Sequence, residues 1–293
     1  MNVIIRNGLK HNYVSKNILF KTDLEHFFLL LSSNISIKMR VALFQTKLIW
    51  ERPKENRSLI QEYINSCDKE YDLLVLPEMF TSGFTMNPER VAEKMDGETI
   101  EWLKLVAIEK NIAITGSLVI EESENYYNRL VFVFPNGNIQ YYDKRHLFTL
   151  AGEEKVYKAG KEKLIVEYKG WKICPFICYD LRFPVFSRNV ENYDLLIYVA
   201  NWPKPRIQAW NSLLKARAIE NISYLVGVNR IGADDNEMEY VGSSQVVDYL
   251  GNERLNCDDE QGIFIIELDK QEMIETRNKL NFLNDKDSFI IQF

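Results

Sequence analysis

Histidine and cysteine are scarce in this chain. Its 293 residues include three histidines (His11, His26, His146) and four cysteines (Cys67, Cys174, Cys178, Cys257). The cysteines have no metal-ligand spacing and no histidine sits beside them, so no metal site is expected. So few cysteines in so long a chain do not make a disulfide framework, and the simplest setting is reduced thiols in the cytoplasm. Basic runs are absent and the net charge is −6, which argues against nucleic acid as a partner. Long apolar runs are absent too. Phe27-Phe28-Leu29-Leu30-Leu31 is far too short to cross a bilayer, and no small-residue cleavage site follows it, so neither a membrane nor a secretory route is expected. No Gly/Ser-rich linker divides the chain.

What is present is core. Hydrophobic residues make up 46% of the chain and aromatics 12%, enough for one large domain. Residues 1–38 show no clear period. Met39 then opens the buried-strand pattern Arg40-Val41-Ala42-Leu43-Phe44-Gln45. The domain is therefore expected to span 39–293, with 1–38 as an N-terminal extension.

From Met39 onward, short apolar strands alternate with helical segments, which is the signature of an α/β layered fold. Strands are expected to end near Thr46, Pro77 and Gly116. Residues 130–134 and 139–143 flank Asn136-Gly137, a strong hairpin signal. Further strands are expected at 171–178, 195–200, 224–229, 244–247 and 263–268, with helices near 54–68, 98–110 and 206–220. In the last helix Ile207, Trp210, Leu214 and Ala218 recur at helical spacing and should face a sheet. Tyr71-Asp72-Leu73-Leu74-Val75-Leu76 echoes Tyr193-Asp194-Leu195-Leu196-Ile197-Tyr198, and each is followed by a loop, a helix and a strand. The echo fits two related α/β halves packed face to face, although any two strand–loop–helix–strand units look alike.

Three strand ends carry reactive side chains. The run Ile173-Cys174-Pro175-Phe176-Ile177-Cys178-Tyr179-Asp180 is an apolar strand that breaks into a polar turn at Cys178. A thiol there faces a cleft, and a short following helix would favour its thiolate through the helix dipole. Cys174 lies mid-strand and reads as structural. Three residues separate it from Cys178, where a dithiol redox motif has two. Leu73-Leu74-Val75-Leu76-Pro77-Glu78 ends on a carboxylate, either a loop acid or a general base. Tyr141-Tyr142-Asp143-Lys144-Arg145-His146 ends on a lysine, either a surface cation or a donor to an oxyanion, with a backbone N–H near Tyr179 as second donor.

Leu-Pro-Glu at 76–78, Asp-Lys-Arg-His-Leu-Phe at 143–148 and Cys-Tyr-Asp-Leu-Arg-Phe-Pro at 178–184 resemble, in order and approximate spacing, the three signatures of the nitrilase superfamily of carbon–nitrogen hydrolases. The resemblance covers about 39–293. It implies an α/β fold, a four-layer αββα sandwich of two mixed sheets with outer helices, usually dimerised. It also implies Glu78 as base, Lys144 as oxyanion lysine and Cys178 as nucleophile, with no cofactor. Family members often carry a further glutamate between the Lys and Cys motifs. Glu153 matches best, and its neighbour Glu154 fits as well.

Within the superfamily the ω-amidase (2-oxoglutaramate amidase, YafV-like) group is the most similar, through Phe80-Thr81-Ser82-Gly83-Phe84, the Lys and Cys motifs, Ala200-Asn201-Trp202-Pro203, and a tail containing Arg277, Phe282 and Asp285. Tyr179 stands where nitrilases more often have tryptophan, which favours an amide over a nitrile. The implied reaction is hydrolysis of the terminal amide of a small α-keto acid amide to a dicarboxylate and ammonia through a thioester. Such a substrate carries a carboxylate. Arg182 is the nearest cation to the nucleophile, and it reads either as the receptor for that group or as a structural partner of Asp180 or Glu78. Phe84 and Trp202 read as pocket walls or as core. The competing functions are another amidase or a carbamoylase of the same superfamily, or a catalytically silent binding module.

Overall fold

Apolar alternation along the strands sets the layers. In the computed structural model, which describes residues 37–291, the first strand is β1 (Lys38–Gln45). Its Met39, Val41 and Leu43 join a core shared with a second sheet, while Ala42 and Phe44 join a separate core under the outer helices. Adjacent side chains point to opposite faces of a strand, so each sheet has an inner and an outer face. The described residues from Lys38 onward form one compact unit. The strand begins one residue before the expected boundary at Met39, and the rest of the expected extension, 1–36, lies outside the described residues.

After β1 come α1 (Pro53–Ser66), β2 (Leu73–Val75), α2 (Glu98–Lys110), β3 (Ala113–Glu122), β4 (Asn125–Val133) and β5 (Ile139–Asp143). Next are β6 (Val166–Tyr168), β7 (Trp171–Ile177), the short α3 (Pro184–Ser187), β8 (Leu195–Ala200), α4 (Ile207–Asn221) and β9 (Tyr224–Asn229). The hairpin β10 (Ile231–Ala233) and β11 (Glu239–Val241) follows, then β12 (Gln245–Val247), β13 (Glu253–Asn256), β14 (Gly262–Asp269) and α5 (Lys270–Leu280).

One six-stranded sheet has the order β14-β1-β2-β3-β4-β5 and the other β13-β12-β9-β8-β7-β6. In each, the three central strands are parallel and both flanks are antiparallel. With α1 and α2 outside the first sheet and α4 outside the second, this is the expected four-layer sandwich. Gly227 allows the close approach of α4, since a Cβ there would stand 2.6 Å from Leu214 and 2.9 Å from Trp210.

The sequence echo is a structural repeat. Asp72 and Asp194 enter the middle strands β2 and β8. Asp72 accepts the Arg40 N–H on its side chain at 2.7 Å and donates its own N–H to the Arg40 carbonyl at 2.8 Å. Asp194 does the same with Lys172, at 2.8 and 2.7 Å. Their carbonyls accept from Ala113 and Tyr224, which open β3 and β9. Each aspartate thus clamps three parallel strands at the end away from the site.

Several bounds differ from expectation. β3 does not stop at Gly116 but runs to Glu122. β7 stops at Ile177, leaving Cys178 outside the strand. β6, β10, β11, β13 and α5 were not expected. Asp194 also ties α5 to the second sheet, with its carboxylate 2.6 Å from Lys270 and 3.1 Å from Arg277. Removing one member of a buried charge cluster strands the others. Asp194→Ala is expected to lose about 3 kcal/mol of stability, read as a lower urea midpoint at unchanged slope.

Candidate active site

The motif ends converge. Glu78 lies just beyond β2, Lys144 directly follows β5, and Cys178 directly follows β7. Glu78, Lys144 and Glu153 are all fully buried. The Lys144 Nζ donates to Glu78 Oε1 at 2.9 Å and to Glu153 Oε1 and Oε2 at 3.0 and 2.9 Å. Asn128, from the middle of β4, donates through Nδ2 to Glu78 at 2.8 Å and to Glu153 at 3.3 Å. The Phe148 N–H donates to Glu153 at 2.6 Å, and the Asn201 N–H donates to Glu78 Oε2 at 2.8 Å. Buried carboxylates need such a set of donors. Of the two adjacent glutamates, Glu153 bonds the lysine and Glu154 is exposed.

Cys178 adopts φ of 44°, a left-handed conformation that costs a non-glycine residue about 1–2 kcal/mol. Asp180 holds this turn. Its carboxylate accepts from the Ile177 N–H at 3.0 Å, the Tyr142 hydroxyl at 2.8 Å and the His146 N–H at 3.0 Å, and it lies 2.8 Å from His146 Nδ1. The His146 ring stacks on Phe183 at 3.7 Å. One carboxylate therefore locks the turn that follows Lys144 to the turn that carries Cys178.

The helix-dipole expectation fails. Cys178 itself opens a five-residue 3-10 helix, Cys178–Arg182, too short for a developed dipole. The thiol is pushed well above its ordinary value, first by burial and then by the negative charge of Glu78, which is within hydrogen-bond reach; Lys144 opposes the rise. Burial alone would lower the Lys144 pKa, but Glu153 and Glu78 reverse that and hold the ammonium charged. Burial raises the Glu153 pKa, with Lys144 opposing. The site is thus a protonated thiol beside a carboxylate, with a fixed cation between two acids.

These side chains open into a cavity of about 330 Å³, a size suited to a small molecule. Phe84, Tyr179, Arg182 and Trp202 all line it. Arg182 does not pair with Asp180 or Glu78; its guanidinium lies over Trp202, 4.9 Å from the ring centroid. Arg206, which sequence reasoning missed, also lines the cavity and lies over Phe148 at 5.3 Å. Neither arginine has an ion-pair partner among the described residues. Asn128 and Asn201 were missed as well. Asn128 reads as one polar residue in a strand, whereas Asn201 and Arg206 stand in or just after the Ala-Asn-Trp-Pro motif, the only available signal. Among the described residues no group of three or more His, Cys, Asp or Glu is arranged to hold a metal ion. No helix among them is long and apolar enough to cross a membrane.

A family model for carbon–nitrogen hydrolases matches residues 40–278. The chain belongs to the carbon–nitrogen hydrolase family and is an amidohydrolase by that membership. Its relatives narrow the class further. It is 41% identical to the omega-amidase YafV of Yersinia enterocolitica over 257 residues, 86% of this chain and 98% of that one. It is 32% identical to the 2-oxoglutaramate amidase of Bacillus subtilis strain 168, over 85% of this chain and 98% of that one. Among solved structures, a CN-hydrolase superfamily protein from Xanthomonas campestris, with an arsenic adduct in its active site, is 40% identical with a TM-score of 0.85, covering 87% of this chain and 99% of that one.

A raised thiol pKa means fewer thiolates at neutral pH than for free cysteine. Iodoacetamide labelling of the Cys178 peptide, followed by mass spectrometry across a pH series, is expected to show a midpoint above the usual ~8.5. Glu78→Gln removes a raising charge and should move the midpoint down. Lys144→Met removes a lowering one and should move it up. A midpoint in the ordinary range, unmoved by either change, would contradict this electrostatic account.

Proposed function

We propose that this protein is an ω-amidase, hydrolysing the terminal amide of small α-keto acid amides such as 2-oxoglutaramate and 2-oxosuccinamate. The observation that carries the reading is that Arg182 and Arg206, free of carboxylate partners among the described residues, line the same small cavity as Cys178. A keto acid amide brings the carboxylate they lack. The names of the relatives support the same substrate class.

In this mechanism Glu78 takes the thiol proton as Cys178 Sγ attacks the amide carbon. The developing oxyanion is met by the Lys144 ammonium and the Tyr179 backbone N–H. The carbon–nitrogen bond then breaks as Glu78 returns the proton to nitrogen, and ammonia leaves a thioester. Water, deprotonated by Glu78, cleaves that thioester to the dicarboxylate. Glu153 positions Lys144 and does not itself react. Phe84 and Trp202 exclude bulk water, which strengthens every charge interaction inside.

The partners in this reading are a small amide and a second copy of the chain. A homodimer is proposed through the face where Val185, Ile219 and Phe282, all exposed, line one surface groove. Ile219→Asp is expected to shift the protein from dimer to monomer in sedimentation analysis; a wild-type monomer would refute the proposal.

Ammonia release from 2-oxoglutaramate, 2-oxosuccinamate and a plain aliphatic amide tests the activity. Fast release from the keto acid amides, lost in Cys178→Ala, is the expected result. Arg182→Ala and Arg206→Ala should each raise KM for the keto acid amides by about 10–100-fold while leaving the plain amide unaffected. Release from the plain amide alone would keep the chemistry and discard the substrate.

A further inference from the structure

We infer that the Tyr179 hydroxyl donates a hydrogen bond to the 2-oxo oxygen of the substrate, and so selects keto acid amides over amides that carry a carboxylate alone. The inference rests on the amidase reading above and adds a specificity-determining residue to it.

Tyr179 is placed by the helix that Cys178 opens. In a 3-10 helix residues three apart eclipse one another, so Tyr179 and Arg182 share one face of Cys178–Arg182. Both line the cavity with Cys178. The Tyr179 ring is held on two sides, with its centroid 5.0 Å from that of Phe148 and 5.2 Å from that of Phe183. Phe183 is itself stacked on His146, whose Nδ1 lies 2.8 Å from Asp180. The ring therefore belongs to the same clamped turn as the nucleophile.

The hydroxyl at its end has no hydrogen-bond partner among the described residues. Nor is it sealed in, since the buried polar atoms that lack a partner are all on other side chains. The phenol oxygen is thus half-buried with its ring, accessible and uncommitted. Phenylalanine would pack between Phe148 and Phe183 equally well, so the hydroxyl adds nothing to packing and is free for a ligand. Other aromatic donors on the cavity wall are spent. The Tyr240 hydroxyl is given to Asp234 at 2.9 Å and the Trp202 Nε1 to the Arg206 carbonyl at 2.7 Å. Trp50 also lines the cavity and its Nε1 has no partner among the described residues, but it packs against Gly83, where a Cβ would stand 3.2 Å from its ring, and not on the turn of the nucleophile.

A keto acid amide presents two acceptors on neighbouring carbons, a carboxylate and a 2-oxo oxygen. One face of the turn presents two donors of matching kind. The planar guanidinium of Arg182 suits a carboxylate, which can take two of its N–H groups, and a single O–H suits a single carbonyl oxygen. Tyr179 then serves both ends of the substrate, its backbone N–H at the reacting carbon and its hydroxyl at the 2-oxo group. A substrate without that oxygen forgoes the bond, which makes the hydroxyl a source of preference.

2-Oxosuccinamate and succinamate share the amide and the carboxylate and differ in the 2-oxo oxygen. The test takes the ratio of kcat/KM for the first over the second in wild type, Tyr179→Phe, Trp50→Phe and Arg182→Ala. Comparing ratios between variants cancels whatever the two compounds do in solution. The ratio is expected to fall about three- to tenfold in Tyr179→Phe. It should hold in Trp50→Phe, and also in Arg182→Ala, which should slow both substrates alike because both carry the carboxylate. Thermal unfolding and iodoacetamide labelling of Cys178 establish that each variant is folded with its thiol in place. An unchanged ratio in Tyr179→Phe, with or without equal losses on both substrates, would overturn the inference, as would a fall confined to Trp50→Phe or Arg182→Ala. A wild-type enzyme that hydrolyses both compounds without preferring the 2-oxo one would also overturn it, while leaving an amidase of carboxylate-bearing amides. A wild-type enzyme active only on a plain aliphatic amide would overturn the keto acid reading itself and the inference with it.

Discussion

A buried lysine held between two buried carboxylates is the interaction on which the rest of this structure depends. Taking three charges out of water costs several kcal/mol per ion, and their mutual attraction repays it only when geometry and further hydrogen bonds are good. The surroundings supply those bonds. Asn128 bridges the two glutamates, and the backbone N–H groups of Phe148 and Asn201 complete them. The donors come from β4, from the loop after β5, and from the end of β8 in the other sheet. The triad can therefore form only when both sheets are in place, which couples the chemistry of the site to the sandwich itself.

The repeat explains why these ends meet. Both sheets have three parallel central strands, and each middle strand is clamped at its start by an aspartate bonded to both neighbours. The opposite ends are left free to carry irregular backbone. At that end β2 leads to Glu78 and β8 leads to Asn201, and the two residues bond to each other across 123 positions of chain. Ligand sites in sheets with parallel strands lie beyond the carboxyl ends of those strands, and here two such ends face one another. The repeat has diverged where function differs: a carboxylate stands at one end and an amide at the other.

Much of this was legible in the sequence, for physical reasons. The strands β8 and β9 announce themselves as short, continuous apolar runs, and Asn136-Gly137 marks the hairpin between β4 and β5. Gly116 was misread as a strand end. It lies mid-strand because a side chain there would strike Leu76, with a Cβ only 2.7 Å from the Leu76 Cβ, and no local pattern distinguishes that close approach from a turn. β13 and α5 are mostly polar, with Met273 the one buried residue of the helix, so period has little to act on. Glu78, Lys144 and Cys178 were found because each interrupts an apolar run. Arg206 interrupts no apolar run, and Asn201 ends one with a neutral amide that by itself signals no chemistry; the surroundings of both depend on what the fold brings beside them.

The charge balance of the site accounts for the division of labour between its cations. Glu78 and Glu153 outnumber Lys144, so a thiolate would add a second net negative charge in a place that water does not screen. In the proposed mechanism the thiol stays protonated until attack, and its proton moves to Glu78 in the same event that sends negative charge to the substrate oxygen beside Lys144. Charge is relocated within the site and not added to it. A substrate carboxylate placed against the triad would break that balance, whereas one placed against Arg182 and Arg206 would not. The arginines lie over Trp202 and Phe148 and outside the triad, and in the proposed mode of binding they would give such a group its own counter-charge and leave the reacting end electrically unchanged by the arrival of the substrate.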